Sequence, residues 1–268
     1  MCSKAVEGGF IFMAMIHFKG RDLYFDDIGE GNPLVLIHPP GMGRMTFIKQ
    51  HVLSRHFRLI IPDLTGHGDS FTLDQNISIA EFVEDIKAIL DHLNIAACVM
   101  LGYSAGGIVG QTFACTYENR VSSLILVGGY PKVTNPKLIW MHHMGMKMVR
   151  DHPARLSGII SRAHFKDKLE REKLRGHMNK ANPHIWYQFY EQSLHYDGIK
   201  QVEKLPIPLL LIYGERSDWI NSHLKLYNDC YPKKIYIIPG ASHQIPTRYH
   251  DALNNILLGE IEGLEAKG

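Results

Sequence analysis

Residues 97–106 constrain the fold more than any other stretch. An apolar run, Ala97-Cys98-Val99-Met100-Leu101, passes at once into Gly102-Tyr103-Ser104-Ala105-Gly106. A short uncharged run of this kind reads as a strand buried on both faces. Residues 104–115 read as a helix, so the chain must turn sharply from strand to helix at Ser104. Such a turn pushes one side chain outward at the carboxyl edge of a sheet, and glycine on either side lets the backbone bend without a Cβ clash. The helix N-terminus beside that side chain favours negative charge. A glycine-rich turn can also match this pattern by accident, so its weight depends on the rest of the chain.

The rest of the chain alternates in the same way. Runs rich in Val, Ile and Leu at 34–37, 58–62, 123–127, 209–213 and 235–238 each end in turn residues. Longer amphipathic stretches separate most of them. Ser78 with Glu81 three positions on forms a capping-box pattern ahead of the apolar stripe Phe82, Ile86, Ile89 and Leu90, and 251–261 reads as another helix. This repetition predicts an α/β fold with a mostly parallel central sheet covered by helices on both faces. The segment around Gly20-Arg21 predicts an antiparallel hairpin at its edge, with the β pattern beginning near Met15 and residues 1–14 as an N-terminal extension.

Between 131 and 204 the alternation stops. This segment holds 14 Lys and Arg against 7 Asp and Glu, a net +7 that leaves −5 for the remainder of a chain whose total is +2. It also holds seven of the 16 histidines and has no strand pattern, which predicts a helical insertion between two strands. The expected organisation is therefore a core of 15–130 and 205–268 interrupted by the insertion 131–204.

A serine hydroxyl is a weak nucleophile and needs a base, commonly histidine, oriented by a third group. Two further loops at strand ends supply the residue types. Gly214-Glu215-Arg216-Ser217-Asp218 follows the run 209–213, and Pro239-Gly240-Ala241-Ser242-His243 follows 235–238. Both should open on the same sheet edge as Ser104. The order serine, acid, histidine is the one this kind of elbow carries. The catalytic candidates are thus Ser104, Asp218 and His243. Glu215 stands as the rival acid, and a turn or capping role is the plainer reading of Asp218.

With these motifs together the chain resembles the α/β-hydrolase superfamily from about residue 15 to 262. Further points of likeness are His38 after the run 34–37, and Asp63-Leu64-Thr65-Gly66-His67-Gly68-Asp69-Ser70, which is similar to the family's D-x-x-G-x-G-x-S loop. The resemblance implies an α/β-hydrolase fold of about eight strands, with 131–204 as a helical lid inserted before the seventh. It also implies a hydrolase using a Ser104–His243–Asp218 triad on a small carboxylic ester or related acyl compound, with no cofactor and no metal. The alternatives are a C–C bond hydrolase or haloperoxidase-like enzyme with the same triad, or, in another class, a slow-turnover small-molecule receptor. One departure bears on the last of these. The family has His-Gly-X where this chain has His38-Pro39-Pro40-Gly41-Met42-Gly43. Proline carries no N–H, so the oxyanion donors are Ala105 together with Gly41 or Met42 from a shifted loop, or Ala105 alone.

Other features have plain readings. His142-His143 has no metal-ligand spacing around it, and Trp140, Met141, Met144 and Met148 fall at helical spacing, as packing residues do. Cys2, Cys98, Cys115 and Cys230 lie far apart, which favours free thiols and a cytoplasmic setting. The near-neutral charge argues against a nucleic-acid partner, and the apolar stretch 9–16 is too short to span a membrane. The expected partner is a small-molecule substrate. Oligomeric state is not legible.

Overall fold

The computed structural model of the protein describes residues 3–6 and 9–265. Its centre is a ten-stranded sheet. The strands are β1 (Ser3–Val6), β2 (Gly9–Phe18), β3 (Arg21–Ile28), β4 (Asn32–Ile37), β5 (Phe57–Pro62), β6 (Phe71–Thr72), β7 (Cys98–Tyr103), β8 (Val121–Val127), β9 (Leu209–Gly214) and β10 (Lys233–Ile238). Their order is β1-β2-β3-β5-β4-β7-β8-β9-β10, with β6 paired to β3. From β5 to β10 neighbouring strands run parallel, while β1, β2 and β3 form the antiparallel edge.

That edge is larger than the sequence suggests. The strand expected from Met15 begins at Gly9, and Phe12–Phe18 pair with β3. Part of the segment 1–14 therefore belongs to the sheet; residues 1, 2, 7 and 8 lie outside those described. The reason is local. Lys19 and Gly20 both take positive φ, 48° and 76°, and a two-residue turn of that hand matches the twist of a hairpin. Once the hairpin is nucleated, the apolar run from Gly9 extends it. This extension, with β1 and the two-residue β6, accounts for ten strands in place of about eight.

The helices are α1 (Ile79–His92), α2 (Gly106–Thr116), α3 (Pro136–Asp151), α4 (Pro153–His164), α5 (Lys168–Met178), α6 (Pro183–His195), α7 (Ile199–Val202), α8 (Asp218–Asn221), α9 (Ile245–Arg248) and α10 (His250–Glu265). The capping box of α1 forms: Ser78 Oγ accepts the Glu81 N–H and Glu81 accepts the Ser78 N–H. Helices α3 to α7 make up the segment between β8 and β9 that breaks the strand alternation.

The apolar runs are buried because helices cover both faces of the sheet. In β7, Cys98 and Met100 pack with Phe82, Ile86 and Ile108 on one side. Val99, Leu101 and Tyr103 pack with Phe47, Leu253 and Leu257 on the other. Each such side chain contributes about 1.5–3 kcal/mol on burial, so the central strands hold fixed positions and the loops at their carboxyl ends inherit that rigidity. Among the described residues Cys98, Cys115 and Cys230 are free, and burial pushes the Cys98 thiol up to about 12. No helix among the described residues is long and apolar enough to cross a membrane.

Candidate active site

Ser104 sits where the sequence places it, on the turn between β7 and α2. Its φ is +53°, a conformation that costs a side-chain-bearing residue energy and persists only when its surroundings enforce it. Here the enforcement is visible. Ser104 N–H donates to Val127 O at 2.9 Å, and Ser104 O accepts the Gly107 N–H at 2.9 Å. The flanking glycines are required by close approach. A Cβ on Gly102 would lie 2.4 Å from Gly107 Cα, and one on Gly106 would lie 2.5 Å from Ile37 O.

His243, in the loop after β10, meets this serine, with Nε2 3.0 Å from Ser104 Oγ. The ring is wedged between Trp219, whose centroid is 4.9 Å away, and Tyr103, at 5.3 Å. Tyr103 Oη lies 3.1 Å from His243 O and 3.1 Å from His164 Nε2. His164 Nδ1 faces Ile160 O at 2.9 Å, so Nδ1 carries the proton, and the single Tyr103 hydroxyl hydrogen is shared between His243 O and His164 Nε2. Burial, and secondarily the neighbouring His164, hold His243 down at about 3. The imidazole is therefore neutral, with one ring nitrogen bare, and the burial that keeps it neutral also makes it a weak base.

The acid does not join them. Asp218 opens α8 as its first residue, and its exposed side chain makes no hydrogen bond or ion pair with His243. The rival, Glu215, is exposed and accepts the Gly240 N–H at 2.7 Å. His243 Nδ1 is buried without a hydrogen-bond partner among the described residues. The physical reason lies in the loop. Ser217 takes the buried position before α8 (1% exposed), and the helix start turns the next residue outward. The sequence marks the loop correctly but not which of its residues faces inward. Asp218→Asn is accordingly expected to leave turnover within about threefold, measured as kcat on any ester the protein hydrolyses. A loss approaching the roughly 10⁴-fold seen when a triad carboxylate is neutralised would put the acid back at this position.

The oxyanion donors are also rearranged. Pro39 O accepts both the Met42 N–H at 3.3 Å and His38 Nδ1–H at 2.8 Å. His38 Nε2 accepts the Leu64 N–H at 3.0 Å, which fixes its tautomer and pins the loop. Residues 39–42 thus close a turn with Gly41 at φ +79°. The Met42 N–H is engaged within that turn. Gly41 does not line the cavity around Ser104, whereas Pro40 and Ala105 do. Of the three candidates, only Ala105 borders the cavity with no competing bond in this turn.

Above Ser104 lies a cavity of about 320 Å³. Trp140, Met141 and Met148 of α3 and Leu156, Ile159 and Ile160 of α4 supply much of its wall. Among the described residues no Asp, Glu, Lys or Arg lines it. Its histidines are uncharged by construction: His142 Nδ1 faces Leu138 O at 2.8 Å while Nε2 accepts from Tyr130, and burial lowers its pKa. Sequence reasoning missed Tyr103, His164 and Trp219, because a tyrosine inside the elbow and a histidine on an inserted helix carry no motif of their own.

One cluster has the spacing of a metal site. Asp63, Asp69 and His177 offer ligand atoms within 4.8 Å of one another. The Arg44 guanidinium already bridges both carboxylates, so a cation of the protein's own occupies that role.

An elbow serine paired with a histidine from the loop after the last sheet strand, on this strand order, defines a class. The chain belongs to the α/β hydrolase fold family, whose profile matches residues 32–252. It is 33% identical over 121 residues to the 2-hydroxy-6-oxo-2,4-heptadienoate hydrolase of Pseudomonas putida, 42% of this chain and 43% of that protein. It is 38% identical over 116 residues to the pimeloyl-acyl-carrier-protein methyl ester esterase of Aliivibrio fischeri, 43% of each chain. The match thus spans less than half the length of these relatives. Among solved structures, a carboxylesterase of the thaumarchaeon Nitrososphaera gargenis superposes with a TM-score of 0.82 over 95% of this chain and 100% of its own, at 20% identity. At that identity the likeness is one of fold.

Proposed function

We propose that the protein is a serine hydrolase that cleaves small, uncharged, largely apolar carboxylic esters, with Ser104 as nucleophile and His243 as base. The observation that carries this is the 3.0 Å Ser104–His243 contact at the floor of a cavity without charged side chains. The histidine takes the serine proton as Oγ attacks the acyl carbon, the alcohol leaves with that proton, and water cleaves the acyl-serine by the reverse proton path. Ala105 N–H, at the start of α2, faces the developing oxyanion. The helical insertion acts as the lid that shapes the acyl site. The same cavity disfavours the C–C bond reading. A heptadienoate carries a carboxylate, and nothing in the wall would compensate that charge.

A second reading is favoured by two particular observations. His243 Nδ1 has no partner, and Pro40 stands where an N–H is wanted. Both slow the chemistry, and deacylation most, so a ligand-binding protein that is acylated once and turns over slowly fits the same site. One experiment separates the two. A panel of p-nitrophenyl esters with acyl chains of rising length, and a carboxylate-bearing analogue, is followed through the first turnover and into steady state. The hydrolase reading expects continued release with neutral chains and little with the charged one. A burst of one equivalent followed by near-silence supports the slow-turnover reading. No release above a Ser104→Ala control would remove both.

A further inference from the structure

The corner behind His243 holds three buried polar atoms, each without a hydrogen-bond partner: His243 Nδ1, Ser217 Oγ and Asn221 Oδ1. Orphaned polar atoms of this kind are rare in folded proteins, and each calls for an explanation. Three of them in one corner call for a shared one.

The placement is tight. Arg216 N–H donates to Ala241 O at 2.8 Å and Glu215 N–H to Ile238 O at 3.1 Å, tying the Ser217 loop to the loop that carries His243. Two residues beyond Ser217, Trp219 lies edge-on to the His243 ring. Asn221 is one helical turn from Ser217 and donates its N–H to Ser217 O at 2.8 Å, the spacing that puts two side chains on one face. On the remaining side, a Cβ at Gly128 would come within 2.8 Å of His243 Nδ1, so no side chain can reach the ring from the end of β8.

The donor and acceptor roles are complementary. Taking the Ser104 proton requires Nε2 bare, so Nδ1 carries a hydrogen and needs an acceptor. Asn221 Nδ2 donates to Gly214 O at 2.9 Å, which leaves Oδ1 as an acceptor needing a donor. A serine hydroxyl can accept on one side and donate on the other, so Ser217 can serve both atoms.

We propose that Ser217, backed by Asn221, is the positioning residue of the site, forming the relay His243 Nδ1–H to Ser217 Oγ and Ser217 O–H to Asn221 Oδ1 where related machinery has a carboxylate. The bonds are open in the free protein, as catalytic hydrogen bonds often are before the substrate complex forms. The relay fixes the tautomer and the ring angle, as an acid would. Being neutral, it cannot stabilise the imidazolium that forms when Ser104 is deprotonated, and this sets a low ceiling on the rate.

The inference rests on the proposed role of Ser104, so its test reads Ser104 directly: the rate of labelling by a fluorophosphonate from pH 4 to 9, with melting temperatures as a folding control. Ser217→Ala should slow labelling about tenfold, and Ser217→Thr, which keeps the hydroxyl, should restore most of it. Ser217→Asp supplies a carboxylate that favours the protonated ring, so it should speed labelling at least tenfold at pH 8 and bring the acid limb, which burial of His243 keeps below pH 4 in the parent, up into the measured range. Asn221→Asp is the second variant should Ser217→Asp not fold. Labelling of Ser217→Ala and of the Asp variant within twofold of the parent, with the limb unmoved, would overturn the relay while leaving Ser104 as nucleophile. No labelling of Ser104 in any protein would remove the proposed function and the relay together.

Discussion

Ser104→Ala should abolish fluorophosphonate labelling outright and yet lower ester turnover by only about a hundredfold. In a complete triad, removing the serine costs on the order of 10⁶ in kcat, and removing the acid alone on the order of 10⁴. The members act as a unit, so these losses do not add. A site whose histidine has no carboxylate behind it already lacks most of what the acid supplies, and what the serine can still lose is roughly the ratio of the two, about 10². The measurement is kcat for both proteins on the best ester of the panel, at equal active-site concentration. A fall of 10⁵ or more would mean that a full-strength triad operates, with an acid reaching His243 in the working state. An unchanged kcat would mean that the ester is cleaved elsewhere.

The sheet and the elbow were legible because each depends on local residues. The run at 97–101 is buried on both faces, and Gly102 and Gly106 are demanded by contacts with Gly107 and Ile37. His243 was legible for the same reason, as a histidine just past the last strand. The third position was not. Whether Ser217 or Asp218 takes the buried position depends on which residue opens α8, a difference of one position that no spacing rule resolves. The oxyanion loop was half legible. Two prolines announce a missing donor, but the turn that engages the Met42 N–H is set by His38, which is held in turn by Leu64 from another strand's loop. The cavity wall was illegible as function, since Trp140, Met141 and Met148 read equally well as packing.

The helices between β8 and β9, some of which line the cavity, also have to be held against the sheet, and here a single side chain carries a large share. Arg44 is 5% exposed and reaches three carboxylates on two segments: Asp26 of β3 at 3.0 Å, and, from the loop after β5, Asp69 at 2.8 Å and Asp63. Its backbone N–H also donates to Asp63 Oδ1 at 2.7 Å. From the insertion, His177 of α5 faces the same Asp63 oxygen at 2.8 Å, and Lys180 reaches Asp69 at 2.6 Å. Arg44 thereby joins the antiparallel edge, the loop after β5 and α5. Arg44→Met leaves Asp63 fully buried with only His177 opposite. Breaking a buried ion cluster from one side costs about 3–5 kcal/mol. At about 2–4 °C per kcal/mol for a chain of this size, the melting temperature should fall by roughly 6–20 °C at pH 7. The pH dependence carries the sign of the cause. Burial alone would raise the Asp63 carboxyl, but His177 and Arg44 overcome it and hold the group well below the ordinary carboxylate range. Its stabilisation is present above the unfolded value, about 3.9, and is lost as pH falls towards the folded one. The gap in melting temperature between the parent and Arg44→Met should therefore be widest near neutrality and narrow as the buffer is taken below pH 4. A gap under about 2 °C at pH 7, or one that widens in acid, would show that the cluster is not what fastens the helices over Ser104.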